Sequence, residues 1–594
     1  MKLSKLNVLP TSREMIDVFG GYNHNLRIGE GEFYDMKNLT SSDYPVLSPR
    51  PPRGLYASPN ADNYPDSNVL KVSNPQGMIE KDALCYVDGT DIFINGHRES
   101  WDLSTEAKDC PKTLISMGAY IIVMPDKKYI NTTNYGDKGK IEATFNTGGS
   151  ATDFRLCKSD GTTYSGVAKS ETAPENPTDG QLWMDISEKP YSLKQYSETN
   201  AEWIAIATTY IRITFQSSSA LPFNAGDGVA ISGITNEALK DLNTTMVVQA
   251  ADTNYIVVTG IIDDSYKVNE NIFITRLMPE MDMIIESGNR LWGCKYGWNL
   301  HGNFVNEIYA SKLGDFKNWN VFAGISTDSY VASVGTDGFF TGAITYLGYP
   351  IFFKENCMHK VYGNYPANFQ IQTTTCRGVQ QGCHKSLAIV NEVLYYKSRS
   401  AICAYDGSLP QEISSVLGDE TYSNATAGAL GNKYYTSMMD SKDAYHLFVF
   451  DTKRGLWHRE DNTHAVDFCA CKGNLYYIEG NEIKTILGSG YKDTAPILWM
   501  AESGIIGTNM PDKKYISRLD IRMMLTIGTR AHFYIEYDSS GKWEHLFTMT
   551  GRTLQSFPVP IRPHRCDHFR IRIEGDGVAK IFSICKTIEQ GSDH

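Results

Sequence analysis

Three acidic residues near the end of the repeated part of the chain could carry out hydrolysis. Asp451, Glu460 and Asp461 are carboxylates, and two carboxyl groups at a suitable separation can cleave a glycosidic bond. None of the three occupies a recurring position that would face a shared pocket. Acidic residues are also frequent throughout the chain, so solvated carboxylates are the simpler interpretation.

A loose group of cysteine, arginine and histidine could supply a nucleophile or a metal site. It reads Cys376-Arg377-Gly378 and Cys383-His384. Zinc sites usually bring a close pair of ligands twice, and here only one loose cluster occurs. A loop that packs against the rest of the fold is the competing interpretation.

The segment Arg562-Pro563-His564-Arg565-Cys566-Asp567-His568 is the densest group of metal-ligating side chains. It could hold a metal, or it could be a polar turn between two strands. In the second case Arg562 and Arg565 would bind carboxylates of a neighbouring subunit.

Two other patterns complete the search for chemistry. Cys469 and Cys471 belong to one strand and point to the same face, as buried reduced thiols would. Gly335-Thr336-Asp337-Gly338 lacks the Lys-Ser/Thr ending of a phosphate-binding loop. We therefore expect no catalytic residue, no metal, no cofactor and no enzymatic activity.

Three aromatic residues could contact a glycan or another partner. Trp183, Tyr196 and Trp203 lie in a short segment with hairpin character, and aromatic faces can stack on sugars. The alternative is that they form the small core of that hairpin.

The elements that position these residues repeat along the chain. A turn followed by an aromatic strand recurs at 348, 390, 431 and 473, which are 42, 41 and 42 residues apart. Strands repeating at this period predict a β-propeller. Related positions near 81, 118 and 288 bring the expected number to about seven blades, within a range of six to eight.

Breaks in the repeat divide the chain into five parts. We expect an N-terminal arm over 1–60, the first blades over 61–139, an inserted β-rich domain over 140–275, the remaining blades over 276–492, and a β-sandwich over 493–594. The arm could contact partners, or it could contribute a strand that closes the ring. The fold class predicted from these parts is all-β.

Composition limits the function. The chain has 594 residues and a formal net charge of −12, which disfavours gripping nucleic acid through its phosphates. Residues 1–7 contain no apolar run, so no signal peptide is expected, and no stretch is long enough for a transmembrane helix. We expect synthesis in a cytoplasm and no membrane insertion.

Three groups of motifs resemble proteins of tailed bacteriophages. The first resembles the N-terminal arm of phage tail proteins and consists of Gly20-Gly21-Tyr22-Asn23, Gly31-Glu32-Phe33, Lys37-Asn38-Leu39 and Pro49-Arg50-Pro51. The second resembles their propeller segment and consists of Gly288-Asn289-Arg290-Leu291-Trp292, Glu307-Ile308-Tyr309-Ala310-Ser311 and Gly314-Asp315-Phe316-Lys317-Asn318-Trp319. The third, Pro174-Glu175-Asn176-Pro177 through Trp203, is similar to a short module of phage tail and fibre proteins. Tyr22 departs from the usual leucine.

The resemblance implies a propeller-containing tail nozzle or head-to-tail completion protein of the virion. Such proteins form rings, commonly hexamers, around the DNA channel. The implied partners are portal or adaptor proteins, tail or fibre proteins, and DNA that passes without sequence-specific binding. Tyr22, Asn23 and Arg50 of the arm would then contact a neighbouring subunit. The alternatives are a tail-tip protein that binds host-surface glycans and a polysaccharide hydrolase with a propeller fold.

Overall fold

The computed structural model describes residues 11–104, 112–216, 220–299, 302–320, 327–488, 491–492, 495–509 and 513–590. The protein is all-β in these residues, as predicted. Their helical elements are single 3₁₀ turns at Ala61–Asn63, Lys240–Leu242, Pro366–Asn368, His384–Ser386 and Ser415–Leu417. None of the described helices is long and apolar enough to span a bilayer. Residues 1–7, where no signal peptide is expected, lie outside the described ranges, and so do 591–594.

Seven sheets follow one another in the repeated part of the chain, and we number them ring sheets 1 to 7. Sheet 1 contains Pro75–Lys81, Ala83–Asp88, Asp91–Ile94 and His97–Ser100. Sheet 2 contains Thr113–Met117, Tyr120–Met124, Lys128–Asn131 and Lys138–Lys140. Sheet 3 contains Met283–Ser287, Arg290–Trp298, Phe304–Ala310 and Tyr330–Ser333. Sheet 4 contains Gly342–Tyr346, Tyr349–Lys354, Cys357–Tyr362 and Gln370–Thr375.

The remaining ring sheets complete the series. Sheet 5 contains Ala388–Val390, Val393–Lys397, Ile402–Tyr405 and Gln411–Glu412. Sheet 6 contains Ser423–Leu430, Lys433–Met439, Tyr445–Asp451 and Leu456–Arg459. Sheet 7 contains Asp467–Cys471, Asn474–Glu479 and Glu482–Thr485, and it is extended by Gly54–Ser58, Leu70–Lys71 and Tyr491–Lys492.

The seven sheets form a propeller-like ring. The first strands contact each other between sheets 1 and 2, 2 and 3, 3 and 4, 5 and 6, and 6 and 7, and the first strand of sheet 7 contacts that of sheet 1. Between sheets 4 and 6 the turn His384–Ser386 provides the contact. The residues predicted to begin the repeat lie in the first hairpin of each sheet, where Gly118, Gly348 and Gly431 have positive φ. Glycine adopts this conformation without a steric penalty.

Two further sheets lie in the chain between ring sheets 2 and 3. The larger has the order Ala143–Asn146, Phe273–Arg276, Gly228–Ser232, Thr245–Ala251, Tyr255–Thr259, Tyr210–Phe215, Thr152–Cys157 and Tyr266–Val268. The smaller contains Ala168–Ser170, Leu182–Asp185, Ser192–Ser197 and Glu202–Ala205. The larger sheet has its own buried apolar cluster, which includes Phe154, Ile213 and Ile256.

The ends of the chain share one sheet, which we call the terminal sheet. It contains Thr11–Ile16, Gly21–Tyr22, Glu32–Lys37, Leu498–Ser503, Lys514–Tyr537, Trp543–Val559, Phe569–Asp576 and Ala579–Gln590. A β-sandwich formed by 493–594 alone was therefore an incomplete expectation, because three of these strands come from the arm. Leu39–Thr40 and Ser48–Pro49 form a separate two-stranded sheet.

The arm also completes the ring. Gly54–Ser58 pairs antiparallel with Glu482–Thr485 of sheet 7, as the strand-donating alternative anticipated. One continuous cluster of buried apolar side chains includes Phe33 of the arm, Trp457 of sheet 6 and Phe533 of the terminal sheet. The arm, the ring and the terminal sheet are thus packed together.

Candidate functional site

The first strands of the ring sheets surround a central cavity of about 780 Å³. We call it the channel mouth. It is lined by residues of all seven ring sheets or the segments that enter them, among them Met78, Leu114, Glu286, Ala343, Lys385 and Asp467. Propellers are built around a central channel, and convergent polar groups in a concave site mark the default place to look for binding or catalysis.

An ion pair in the lining of the channel mouth joins distant parts of the chain. Lys385, in the turn before sheet 5, places its Nζ 3.0 Å from Oδ1 of Asp467, the first residue of sheet 7. The Oδ2 atom of Asp467 accepts the backbone N–H of Met78 in sheet 1 at 3.0 Å. Asp467 therefore links the end of the ring to its beginning.

A second ion pair lies beside the entry to sheet 2. Lys112 and Asp126 are both buried, with 2.5 Å between Nζ and Oδ2. Burial alone would raise the pKa of Asp126, but hydrogen bonds from Lys112 and from the Ser104 backbone lower it. The pair ties the segment before the first strand to the segment after the second strand.

The remaining titratable groups of the mouth differ in their partners. Asp282 holds Lys295 at 2.8 Å, whereas Glu286 accepts the backbone N–H of Asn289 at 2.9 Å and has no ion-pair partner within the described ranges. The pKa of His384 is lowered, first by burial and then by neighbouring Lys385. The mouth thus combines three lysine–carboxylate pairs with Glu286, which has no ion-pair partner among the described residues.

The carboxylates singled out in the sequence lie elsewhere, against the arm. Arg53 Nη2 donates to Glu460 at 2.7 Å and to Asp461 at 3.0 Å, and Arg50 lies 3.3 Å from Asp461. Asp451 accepts the hydroxyl of Ser41 at 2.5 Å. These three carboxylates do not line the channel mouth, and they join sheet 6 to the arm.

The proposed thiol and metal groups are dispersed. Cys383 is buried and its sulfur accepts the Ala425 backbone N–H at 3.3 Å, while His384 lines the channel mouth. Cys469 and Cys471 are buried in one apolar cluster, as strand alternation predicts. No cluster of three metal-ligating side chains occurs among the described residues.

The segment from Arg562 to His568 also separates into individual contacts. Cys566 is buried, His564 packs on Tyr537 with 4.7 Å between ring centroids, and His568 lies 3.0 Å from Asp567. Arg562 and Arg565 are exposed. Their contact with a neighbouring subunit remains a prediction.

The aromatic residues of the small sheet form a core. Trp183 is 5 % exposed, and it packs edge-to-face on Trp203 at 5.4 Å. Trp203 in turn packs on Tyr196 at 5.3 Å, and Lys194 lies over the Trp183 ring. The geometry agrees with the hairpin-core alternative, and Trp203 and Tyr196 remain partly accessible.

The arm residues expected to contact a neighbour are held within their own chain. Tyr22 is buried and packs on Phe448 of sheet 6, with 5.7 Å between ring centroids. Asn23 is also buried, and its side chain donates to Glu32 at 3.0 Å. Arg50 donates to Asn38 at 2.8 Å.

The polar groups of the channel mouth were not anticipated, apart from His384. Lys385 and Asp467 are 82 positions apart, so only the closure of the ring brings them together. The one sequence feature that could have pointed to Asp467 is its place at the start of the last copy of the repeat. Lys112 and Asp126 carried no pattern that distinguishes them from other charged residues.

Comparisons with known proteins give no family. No family model matches the chain, and no curated protein matches it. An exo-β-1,3-galactanase from Phanerochaete chrysosporium with galactose is 10% identical, with a TM-score of 0.22, and the match covers 51% of this chain and 94% of the galactanase. A glycoside hydrolase is 12% identical, with a TM-score of 0.19, and the match covers 50% of this chain and 96% of the hydrolase.

A tryptic core variant of Bacillus thuringiensis Cry1Da is 11% identical, with a TM-score of 0.12, and the match covers 51% of this chain and 52% of the toxin core. Glycoside hydrolases are among the matched structures, and the expectation that this chain is not an enzyme is therefore withdrawn. Likenesses this low assign no activity to the chain.

Proposed function

We propose that this chain is a structural subunit of the neck or tail of a tailed phage. Several copies, six by family resemblance, form a ring that continues the DNA channel and anchors portal, adaptor, tail or fibre proteins. The seven ring sheets are the seven blades of one propeller in each copy.

The observation that carries this proposal is that residues of the phage-like arm motifs lie together against ring sheet 6. We call Gly21, Asn23, Glu32, Asn38 and Arg50 the arm clamp. Gly21 has positive φ, and a Cβ there would overlap the carbonyl oxygen of Trp457 in sheet 6. Glu32 accepts hydrogen bonds from Asn23 and from the Gly29 backbone, at 3.0 and 2.6 Å. Gly21 of the terminal sheet therefore packs directly against ring sheet 6, and Glu32 holds the neighbouring residues of the arm in place.

A second part of the same motif set fastens the arm to sheet 6 and to the terminal sheet. Asn38 donates its backbone N–H to the Glu460 carbonyl at 2.6 Å and its side-chain N–H to the Leu498 carbonyl at 2.8 Å. Arg50 binds Asn38 and Asp461. An arm bonded to both the ring and the terminal sheet suits the subunit of a ring that must withstand mechanical force.

The negative net charge of the chain supports a DNA channel that lies between several copies of the protein. Each copy carries a formal charge of −12, and a ring of copies would multiply the field that repels DNA phosphates. The mouth of the single propeller has a volume of only about 780 Å³ and is lined by the Lys385–Asp467 pair. Double-stranded DNA would accordingly pass between propellers rather than through one.

Assembly with the portal and adaptor rings of the same phage tests the proposal. Mass photometry of the mixture should show a complex that contains several copies of this chain, and electron microscopy should show a ring with an axial channel. If the chain stays monomeric at micromolar concentration with both rings present, the proposal is wrong.

A second candidate function is the binding or hydrolysis of a polysaccharide at the channel mouth. The observation in its favour is that Glu286, without a cation partner among the described residues, lines one cavity together with Asp282 and Asp467. Glycoside hydrolysis needs two carboxyl groups across the bond that is cleaved. Release of reducing ends from host-surface polysaccharide, abolished by Glu286→Gln or Asp467→Asn but kept in the surface variant Asp62→Asn, would establish it. No release by the wild-type protein would exclude hydrolysis.

A further inference from the structure

A second large concavity lies outside the channel mouth, on ring sheets 4, 5 and 6. We call it the cleft. It has a volume of about 880 Å³ and shares no lining residue with the channel mouth. Its walls are the segment after Gln370–Thr375, the turn that follows Val393–Lys397, and the connection from sheet 5 to sheet 6.

The cleft is lined by interleaved charges of both signs. Arg377 and Arg399 supply cations, and the carboxylates are Glu355, Glu412, Asp419 and Glu420. Arg377 and Glu412 form an exposed pair at 2.6 Å. Arg399 and Asp419 are exposed and form no ion pair within the described part of the chain, so their hydrogen-bonding groups are available to a ligand.

Hydroxyl groups fill the space between these charges, and one wall is apolar. The exposed hydroxyl residues of the lining are Thr375, Ser400, Ser415 and Thr421. The hydroxyls of Ser398 and Ser414 are buried and bind the backbone of Ala401 and Ile402. Leu417, Tyr422 and Met438 are buried beneath it. The cleft therefore offers many donors and acceptors above a small apolar floor.

One lysine of the lining is not available to a ligand. Lys397 is buried and its Nζ donates to the Gln380 side chain at 2.9 Å and to the Ser398 carbonyl at 2.5 Å. Lys354, also at the end of the second strand of its sheet, binds Asn306 and the Thr336 carbonyl in the same manner. This position is a repeated structural contact, so recognition falls to Arg377, Arg399 and the carboxylates.

The chemistry of the cleft disfavours two classes of ligand and suits a third. A polyanion would meet four carboxylates, and an apolar ligand would leave the charges desolvated and unpaired, which is costly. An uncharged saccharide has hydroxyl groups that both donate and accept, together with an apolar ring face. We propose that the cleft is a binding site for an oligosaccharide.

Under this proposal Arg399 donates to sugar oxygens and Asp419 accepts from sugar hydroxyls. The Arg377–Glu412 pair presents a donor and an acceptor side by side, and the sugar ring lies toward Tyr422. The site requires neither oligomer formation nor hydrolysis at the channel mouth.

A defined array of bacterial surface oligosaccharides is the probe, and bound glycans are then titrated by calorimetry. We expect at least one neutral glycan to bind the wild-type full chain, and Arg399→Ala and Asp419→Ala each to weaken it about tenfold or more, since a hydrogen bond to a charged group contributes that much. Both residues are exposed, so the variants should fold, and an unchanged melting temperature checks this.

Arg562→Ala, at an exposed arginine in the connection between Trp543–Val559 and Phe569–Asp576, is the matched control and should bind like wild type. Asp467→Asn distinguishes the cleft from the channel mouth, because loss of binding in that variant would place the glycan in the mouth. The proposal is overturned if no array glycan binds at millimolar concentration, if the two cleft variants bind within twofold of wild type, or if Asp467→Asn or Trp203→Ala removes binding instead.

Discussion

At the scale of single residues, the strongest electrostatic feature is a buried arginine of the arm. Burial alone would lower the pKa of Arg53, but Asp461 and Glu460 raise it. The pKa of Glu460 is raised by burial. For Asp461, burial opposes ionisation, yet Arg53 and Arg50 hold its pKa below the usual value. Charge balance in this cluster therefore depends on the arm.

Arg53→Met should destabilise the protein by about 3–5 kcal/mol, because removing one partner leaves buried carboxylates uncompensated. Urea unfolding followed by tryptophan fluorescence measures the change. Lys71→Met is the matched control, since Lys71 and Asp62 form an exposed pair and such pairs contribute about 0–1 kcal/mol. Equal midpoints for the two variants would show that the cluster does not hold the arm.

A buried histidine gives a pH dependence with a definite sign. Thr336 and Thr373 contact the two ring nitrogens of His359 at 2.8 and 2.9 Å, and burial followed by the charge of Lys354 lowers its pKa to about 4. In the unfolded chain the imidazole takes up a proton below about pH 6.5. The unfolded state thus binds more protons between pH 6.5 and 4, so stability falls as the pH falls through this window.

His359→Gln removes that titration, so its melting temperature should fall less steeply from pH 6.5 to 4 than that of the wild type. Scanning calorimetry at several pH values gives the two slopes. Parallel curves for wild type and His359→Gln would contradict the assignment of the acid limb to this residue.

At the scale of elements, the first hairpins of the ring sheets could be predicted from the sequence. Their turns carry residues with positive φ, such as Gly431 and Gly473, and the strands that follow alternate or run apolar. Both signals are local. The strand Gly54–Ser58 carried no comparable signal, because its partner Glu482–Thr485 lies more than four hundred residues away.

Distance along the sequence is also the reason why the pairing of the terminal sheet and the residues of the candidate sites could not be predicted. Alternation along Lys514–Tyr537 predicted strands but not their neighbours, and Thr11–Ile16 pairs with Ala579–Gln590 across nearly the whole chain. Lys586 shows the consequence, since it is buried between Glu14 and Glu30 of the arm. Channel-mouth and cleft residues likewise meet only through the tertiary fold.

Gly21→Ala tests whether the arm clamp depends on close backbone approach. The new Cβ would overlap the Trp457 carbonyl oxygen at a residue with a φ of +79°, and forcing a non-glycine residue into such a conformation costs about 1–3 kcal/mol before the overlap is counted. We expect faster limited proteolysis within residues 11–58. Gly335→Ala should be cleaved like wild type, because its Cβ would meet nothing within 4 Å. Unchanged cleavage of Gly21→Ala would contradict the clamp.

At the scale of the whole molecule, the chain consists of an interlaced body and an inserted segment. The first and last residues of that segment lie side by side. The body is interlaced because the arm contributes strands to both the terminal sheet and ring sheet 7. The intervening part, residues 143–276, begins and ends on paired strands, since Ala143 is the register partner of Arg276. Its main apolar cluster is formed by its own residues.

Removing residues 143–276 and joining Glu142 to Leu277 through a short Gly-Ser linker should therefore leave the ring and the terminal sheet folded. The ends to be joined are adjacent in the pair of strands, so the linker closes a short gap and costs little loop entropy. The loss of the Arg276 contact to the Ile141 carbonyl at 2.9 Å should lower the melting temperature by only a few degrees. Circular dichroism and thermal unfolding measure this for the shortened chain.

The excised segment should fold by itself, which a dispersed amide spectrum of isolated 143–276 would show. A deletion within the interlaced body is the comparison for the removal of residues 143–276. Deleting residues 11–58 removes three strands of the terminal sheet and the strand that extends sheet 7, so that chain should lose its cooperative transition. If the 143–276 deletion aggregates while the 11–58 deletion unfolds like wild type, the division into an interlaced body and a removable insertion is wrong.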